Sequence, residues 1–205
     1  MTKLRWLLVA VLGCALVVGG FAAYRFPANP PAAKTASVGG PFALVDGSQT
    51  PVTDRTYRGK WEMIYFGYTF CPDACPTALN TIAETMQQLG PLADRVQPIF
   101  ITIDPRRDTP DVIGAYVKNF DPRIVGLTGS PEAIGAVAKE FRIYYAAHKT
   151  GDGPDDYLMD HSSIIIVMDP NGRFAGIIAA DLPADRMTSK LRELLAASPS
   201  GGAAS

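Results

Sequence analysis

The sequence predicts an α/β fold in which helices flank a central mixed sheet. Apolar runs of strand length alternate with longer amphipathic runs along most of the chain, an order typical of α/β proteins. Leu79, Ile82, Met86 and Leu89 are spaced three, four and three residues apart, so they share one face of a helix. The turn sequence Asp169–Gly172 stands between two apolar runs and predicts a β-hairpin.

The predicted elements follow the order β-α-β-α-β-α-β-β-α. Strands are expected at Trp61–Gly67, Val96–Ile103, Ile124–Leu127, Ser163–Met168 and Arg173–Ala180. Helices are expected at Pro76–Leu89, Asp111–Phe120, Pro131–Phe141 and Pro183–Ala196. Gly90 and Pro91 end the first helix. The stretch Ala146–Asp156 contains two glycines, a proline and several aspartates, so we expect it to be a loop.

An apolar segment stands near the N-terminus. Trp6–Tyr24 contains no charged residue, and Lys3 and Arg5 precede it. As a helix this run would span roughly 28 Å, close to the thickness of the hydrocarbon core of a bilayer. The preceding positive charges place the rest of the chain on the outer, periplasmic side of the cytoplasmic membrane. A cleaved signal peptide, or a lipoprotein signal with Cys14 as the lipidation site, would lead to the same compartment.

The chain is therefore expected to have four parts. Residues 1–25 are predicted to be a single transmembrane helix or an uncleaved signal, and residues 26–40, rich in Pro, Ala and Gly, a linker. Residues 41–197 form one predicted domain, and the small and polar residues 198–205 a disordered tail. The residues that carry chemistry lie in the domain.

Composition and charge exclude several classes of protein. The net charge of −1 lacks the basic excess of a nucleic-acid-binding protein, so no nucleic-acid partner is expected. A hydrophobic fraction of 47% excludes a largely disordered chain. Three cysteines are too few for a small fold stabilised by disulfides. Cys14 belongs to the N-terminal segment, which leaves Cys71 and Cys75 for the domain.

Cys71 and Cys75 lie between the first predicted strand and the first predicted helix, where open α/β sheets place ligands. Pro76 suits the first position of a helix, so Cys75 is expected at the helix N-terminus, where the helix dipole lowers the pKa of a thiol. Three interpretations remain open: a structural disulfide, a redox-active dithiol and a soft-metal site with Cu(I) as the best match. A disulfide closing so short a loop would restrain little chain entropy.

Three motifs stand out in this domain. They are Phe66–Thr77 (FGYTFCPDACPT), Asp104–Pro110 (DPRRDTP) and Asp160–Ser163 (DHSS). Together they resemble, in order and spacing, the motifs of the Sco/SenC copper-delivery proteins. The resemblance covers about residues 41–195 and implies a thioredoxin-like fold that binds copper, as Cu(I) or Cu(II). It also implies that Cys71, Cys75 and His161 are the copper ligands.

The resemblance further implies a metallochaperone rather than an enzyme. Its recipient would be the copper-bearing subunit of cytochrome c oxidase, with its dinuclear copper centre, and another copper chaperone would be the donor. Two thiolates suit Cu(I), and an added imidazole gives a three-coordinate site that also holds Cu(II). The main alternative is a periplasmic thiol:disulfide oxidoreductase that keeps the oxidase cysteines reduced. A peroxidase-like enzyme of the same fold, and a binding module with a purely structural dithiol, are the others.

The remaining polar residues near these motifs have simpler explanations. His148 is expected to be solvated in the loop Ala146–Asp156. Asp160 either orients His161 as a hydrogen-bond acceptor or stabilises a turn. Asp73, between the two cysteines, is expected to cap the helix that follows.

Four further residues border the motifs. Asp104 and Asp108 precede a predicted helix, so turn and capping roles account for them. Met159 is a candidate soft ligand for a metal, but a single methionine beside a strand more often packs in the core, and packing is expected here. Tyr68 and Phe70 border the cysteine loop, where they either shield the metal, contact the partner or simply pack.

Overall fold

The computed structural model describes residues 38–197. The strands of this part of the chain are β1 Ala43–Asp46, β2 Pro51–Thr53, β3 Trp61–Gly67, β4 Val96–Thr102, β5 Val125–Thr128, β6 Tyr145–Lys149, β7 Tyr157–His161, β8 Ile164–Met168 and β9 Phe174–Ala179. Its α-helices are α1 Ala74–Gln88, α2 Pro110–Lys118, α3 Pro131–Glu140 and α4 Ala184–Ala197. A 3₁₀ helix at Gly90–Arg95 joins α1 to β4.

Seven strands form one sheet in the order β2-β1-β5-β4-β3-β8-β9. β3, β4 and β5 are parallel, whereas β1, β2, β8 and β9 run antiparallel to their neighbours. The predicted α/β fold with a central mixed sheet is therefore confirmed. The β8–β9 hairpin is also confirmed, and its turn contains Gly172 at φ +70°, a left-handed conformation that glycine adopts without strain.

β3 is an interior strand of the sheet, between β4 and β8. All seven of its residues are buried, as expected for a strand covered on both faces. Its last residue, Gly67, is in register with Thr102 at the end of β4. The carboxyl ends of these two parallel strands therefore meet at one edge, and the segment that follows β3 there carries Cys71 in the loop and Cys75 in the first turn of α1.

The helices attach to this sheet through specific contacts. α4 packs against α1, and the Thr188 hydroxyl of α4 donates to the Gln88 side chain of α1 at 3.0 Å. α2 packs on β5 at Gly126, where a Cβ atom would lie only 2.9 Å from the Ile113 side chain. α4 thus holds the carboxyl end of α1, opposite the first turn that carries Cys75.

Four strands were not predicted from the sequence. β1 and β2 are only four and three residues long, too short to show an alternating pattern. β6 and β7 form a separate two-stranded antiparallel sheet. The prediction that Ala146–Asp156 is a loop is wrong in its first part, because residues 146–149 pair with β7 and place His148 in a strand.

Several predictions concern residues outside the described range. The predicted membrane anchor at residues 1–25, most of the linker and the tail at residues 198–205 lie there. Within residues 38–197, every helix is too short or too polar to cross a bilayer.

A buried carboxylate in β3 gives a testable pH dependence. Glu62 is only 5% exposed, and burial is the main cause that raises its pKa to about 7; Asp54 raises it further and Arg58 opposes the shift. The folded chain thus holds a proton that the unfolded chain releases near pH 4.5. We expect the unfolding free energy to fall between about pH 4.5 and 7, by at most about 1.4 kcal/mol per pH unit.

Urea denaturation of the Glu62→Gln variant at several pH values tests this expectation. The substitution should remove this component of the pH dependence and leave the stability below pH 4.5 nearly unchanged. Glu84→Gln, at an exposed position of α1, is the matched control. Parallel pH profiles for the wild type and Glu62→Gln would contradict the expectation.

Candidate metal centre

The two cysteines of the domain lie at the junction of β3 and α1. Cys71 is in the loop after β3 and is partly exposed, whereas Cys75 is the second residue of α1 and is fully buried. Both thiols are free. The backbone N–H of Cys75 donates to the Cys71 Sγ atom at 3.3 Å, so the first turn of the helix holds both cysteines on one side of the loop.

His161 approaches this pair from a different part of the chain. It is the last residue of β7, and its Nε2 atom lies 3.5 Å from the Cys75 Sγ atom. Its Nδ1 atom lies 3.1 Å from the Ser162 carbonyl oxygen, which can only accept a hydrogen bond, so Nδ1 carries the proton. Burial lowers the pKa of His161, and the neutral ring therefore directs the Nε2 lone pair at the sulfur, as in many metal-binding histidines.

Aromatic rings enclose the imidazole of His161. The ring centroids of Tyr65 and Tyr68 lie 6.0 and 6.3 Å from it, both in edge-on arrangements. Both tyrosines are buried, and the Tyr65 hydroxyl lies 3.9 Å from the Cys75 Sγ atom. Tyr68 thus shields the site, whereas Phe70 is 56% exposed beside it.

The thiol pKa of Cys75 differs from the sequence-based prediction. The helix dipole was expected to lower it, but burial raises the pKa of Cys75 to about 12. Removal of the sulfur from water disfavours its charged thiolate form, and desolvation is the largest contribution to the shift. The metal-free Cys75 is consequently a neutral thiol at pH 7, and a metal must displace its proton to bind.

Gly67 sets the space available to this sulfur. A Cβ atom at position 67 would lie 2.8 Å from the Cys75 Sγ atom and 2.7 Å from the Phe100 ring. Both distances are shorter than real Cβ contacts allow. The end of β3 can therefore pack directly under the sulfur only because residue 67 has no side chain.

A buried carboxylate holds the cysteine loop. The Asp108 side chain accepts hydrogen bonds from the Thr69 backbone N–H at 3.0 Å, from the Thr69 hydroxyl and from the Thr102 hydroxyl at 2.6 Å. Burial raises the pKa of Asp108, and these donors oppose the rise. The capping role predicted for Asp108 is wrong, because Thr109 is the N-cap of α2. The predicted turn is present, since the Asp108 backbone N–H donates to the Asp104 carbonyl at 3.0 Å, and the Asp108 side chain fixes the loop two residues before Cys71.

Asp104 begins a turn, as predicted, because its carbonyl accepts from the Arg107 and Asp108 backbone N–H groups; neither its side chain nor that of Asp73 caps a helix. Asp104 is buried, forms an ion pair with Arg107 and accepts a hydrogen bond from the Tyr157 hydroxyl at 2.8 Å. Asp73 stands at the N-cap position of α1, but its side chain accepts no capping hydrogen bond. It instead accepts from the Thr77 hydroxyl at 3.5 Å.

The predictions for the hairpin residues have mixed outcomes. Asp160 does not contact the His161 ring through its carboxylate; it lies 3.4 Å from the His148 Nδ1 atom on the neighbouring strand, and the Ser162 carbonyl orients His161. His148 is exposed, as expected, but in a strand. Met159 packs against the core, as predicted.

The three predicted ligand residues thus converge pairwise, Cys71 with Cys75 and Cys75 with His161. Within residues 38–197 no three His, Cys, Asp or Glu side chains already enclose a space suited to a metal ion. The contacts of Asp108 with the cysteine loop and the ion pair of Asp104 with Arg107 were not predicted. These three residues lie inside the motif Asp104–Pro110, which was the available signal.

Comparison with known proteins identifies the family. The family model SCO1/SenC matches residues 30–196, which include the cysteine loop, the Asp104–Pro110 motif and His161. The chain belongs to the SCO1/SenC family. As a family, the Sco proteins take part in copper handling for cytochrome c oxidase assembly.

Curated relatives and solved structures agree with this assignment. The chain is 40% identical to Protein SCO1 homolog 1 of Arabidopsis thaliana, covering 77% of this chain and 47% of that protein. It is 45% identical to Protein sco1 of Schizosaccharomyces pombe, covering 67% and 53% respectively. The chain therefore spans about half the length of these two relatives. Bradyrhizobium japonicum ScoI, solved with copper bound, is 41% identical with a TM-score of 0.71, covering 77% of this chain and 99% of that one.

Proposed function

We propose that this Sco protein is a membrane-tethered metallochaperone. It binds one copper ion through Cys71, Cys75 and His161 and transfers it to the dinuclear copper centre of cytochrome c oxidase. The copper-bearing subunit of the oxidase is the recipient, and another copper chaperone is the donor. The N-terminal segment keeps the domain at the outer face of the cytoplasmic membrane, near its recipient.

The approach of His161 to Cys75 is the observation that carries this proposal. The two residues are far apart in the sequence, yet the Nε2 atom lies 3.5 Å from the Sγ atom. The hydrogen bond from Nδ1–H to the Ser162 carbonyl leaves Nε2 unprotonated, which is the form that binds a metal. The structure of the 41% identical ScoI with copper bound supports copper as the ion.

The ligand set suits both oxidation states of copper. Thiolate sulfur is a soft ligand that favours Cu(I), and the imidazole adds a nitrogen ligand that suits Cu(II). Two thiolates carry a net charge of −1 with Cu(I) and zero with Cu(II). The site can therefore serve either state at modest electrostatic cost.

The different exposure of the two sulfurs gives transfer a direction. Cys71 is partly exposed, whereas Cys75 is buried. A thiol of the recipient can reach copper first from the Cys71 side, and Cys75 is the last ligand to be exchanged. Exchange of one ligand at a time keeps the copper bound throughout the transfer.

A copper titration of the purified full-length chain without oxygen tests the proposal. We expect one copper per chain, held against a competing chelator. The His161→Ala variant should keep most of its Cu(I) affinity, but its Cu(II) complex should lose or blue-shift the thiolate-to-copper absorption. A wild-type chain that takes up no copper would overturn the proposal.

The chain offers a matched control for this experiment. His148→Ala removes the second histidine of the same hairpin, whose side chain is exposed. Its Cu(II) spectrum should equal that of the wild type. If His161→Ala also leaves the spectrum unchanged, His161 is not a ligand.

The two free thiols also support a second candidate, a thiol:disulfide oxidoreductase acting on cysteines of the oxidase. In that case the partly exposed Cys71 would attack the target, because Cys75 is buried and its pKa is raised. The pair would itself be oxidised to a Cys71–Cys75 disulfide in each cycle. Catalytic reduction of a model disulfide by the metal-free chain, with an added small dithiol as electron donor and a chain-free sample as control, distinguishes this activity from copper transfer.

A further inference from the structure

The two sides of the proposed copper site belong to different parts of the fold. The cysteine loop is tied to the seven-stranded sheet through Gly67 and through the Asp108 hydrogen bonds. His161 instead ends the β6–β7 hairpin, which forms a sheet of its own. β8 of the seven-stranded sheet begins three residues after His161 and anchors that end of the hairpin. Since a two-stranded hairpin has little stability alone, the orientation of β7 toward Cys75 also depends on contacts at its other end.

Arg107 supplies such contacts at the far end of β7. Its Nη1 atom donates to the backbone carbonyl oxygens of Asp155 and Tyr157, each at 3.1 Å. Its Nε atom pairs with Asp104, which fixes the guanidinium plane at the end of β4. The side chain is only 9% exposed. Asp155 lies at the surface, so the charge-assisted hydrogen bond to the partly buried Tyr157 carbonyl is the better shielded and the stronger of the two.

The same guanidinium contacts the cysteine loop. Its Cζ atom lies 3.7 Å from the centroid of the Tyr157 ring and 4.7 Å from that of Phe70, the residue before Cys71. The Nη2 atom is buried without a hydrogen-bond acceptor. The electron-rich faces of the Tyr157 and Phe70 rings offset this loss through cation–π attraction. The Tyr157 hydroxyl also donates a hydrogen bond to the Asp104 carboxylate, so Tyr157 contacts both members of the Arg107–Asp104 ion pair.

Arg107 therefore joins three segments: the cysteine loop through Phe70, the end of β4 through Asp104 and the hairpin through Tyr157. We propose that Arg107 is a positioning residue that holds the hairpin, and with it His161, against the cysteine pair. This inference rests on the proposed copper site. Its consequence is selectivity between oxidation states, because Cu(II) needs the imidazole whereas the two thiolates suffice for Cu(I).

Arg107→Met in the full-length chain tests the inference. The substitution keeps most of the side-chain volume but removes the ion pair, the hydrogen bonds to the hairpin and the cation–π contacts. We expect Cu(II) affinity to fall about tenfold or more, since partners that orient ligands typically contribute roughly 10–100-fold. Cu(I) affinity should stay within about threefold of the wild type because both thiols remain, and the thiolate-to-Cu(II) absorption should shift toward that of His161→Ala.

Two further variants sharpen the test. Arg106→Gln removes the neighbouring arginine, which pairs with Asp155 at the surface, and should bind both forms of copper as the wild type does. Tyr157→Leu removes the ring from the hairpin side and should reproduce the Cu(II)-selective loss. If Arg107→Met fails to fold, the Cu(II) affinity of Tyr157→Leu tests the inference in its place.

Three outcomes overturn the inference: unchanged Cu(II) affinity in Arg107→Met, an equal loss of Cu(I) and Cu(II) affinity, or a wild-type profile in Tyr157→Leu when Arg107→Met is unfolded. These results are distinct from failure of the proposed function, in which the wild-type chain itself binds no copper. Cu(II)-selective loss in both variants, with a normal Arg106→Gln, supports the inference.

Discussion

Replacement of Cys75 by serine is expected to abolish copper binding by the full-length chain. Cu(I) affinity should fall by more than about 100-fold, since even the loss of a residue that only orients a ligand typically costs roughly 10–100-fold. A serine hydroxyl is a hard, protonated oxygen at neutral pH and a poor ligand for Cu(I). Cys71→Ser should have the same effect. Copper content after dialysis against a chelator measures both.

The third cysteine of the chain is the control for these variants. Cys14→Ser should retain one copper, because Cys14 lies outside the domain. Unfolding midpoints must accompany the measurement because Cys75 is fully buried. The Tyr65 hydroxyl and the His161 ring are available as partners for the new hydroxyl, so the fold should persist. Retention of one tightly bound copper by a folded Cys75→Ser chain would exclude Cys75 as a ligand.

Asp108→Ala is expected to cause the largest loss of stability, about 3–5 kcal/mol in unfolding free energy. The substitution leaves the Thr69 N–H and the Thr102 hydroxyl without their acceptor. The fully buried position offers these groups no direct replacement by bulk water. Urea denaturation of the metal-free protein measures the effect.

Two other variants separate this network from a general charge effect. Asp108→Asn keeps one carbonyl acceptor and should lose less stability than Asp108→Ala. Asp181→Ala removes an exposed carboxylate and should change stability by no more than about 0.5 kcal/mol. Equal midpoints for Asp108→Ala and Asp181→Ala would show that the network contributes nothing to the folded state.

The parts of the fold that local pattern determines could be predicted from the sequence. Trp61–Gly67 is a continuous apolar run and is a central strand with the predicted bounds. The residue types of the turn Asp169–Gly172, which include a proline, an asparagine and a glycine, favour a tight turn by themselves. β6 and β7 could not be predicted this way, because their sequences, YAAHK and YLMDH, lack a clear alternation. They are strands because they pair with each other.

Some features of the candidate site could also be predicted from the sequence, and others could not. The motifs indicated Cys71, Cys75 and His161, and the structure places Cys75 next to both of the others. The pKa of Cys75 could not be inferred from its place at a helix N-terminus, because side chains on other elements, Tyr65 and His161, contribute to its burial. The roles of Asp108 and Arg107 depend equally on residues distant in sequence, namely Thr69 and Tyr157.

The residue type at position 67 is restricted to glycine by the neighbouring Cys75 sulfur, although Gly67 itself has no side chain that could bind a metal. Its backbone does not adopt the left-handed conformation that usually explains a glycine. The restriction comes from the sulfur beneath it, since even a methyl group would overlap the Cys75 Sγ atom and the Phe100 ring. In any saturation library at this position, alanine should be rejected almost as firmly as tryptophan. Intolerance of the smallest possible enlargement marks position 67 as part of the sulfur's packing shell rather than as a flexible joint.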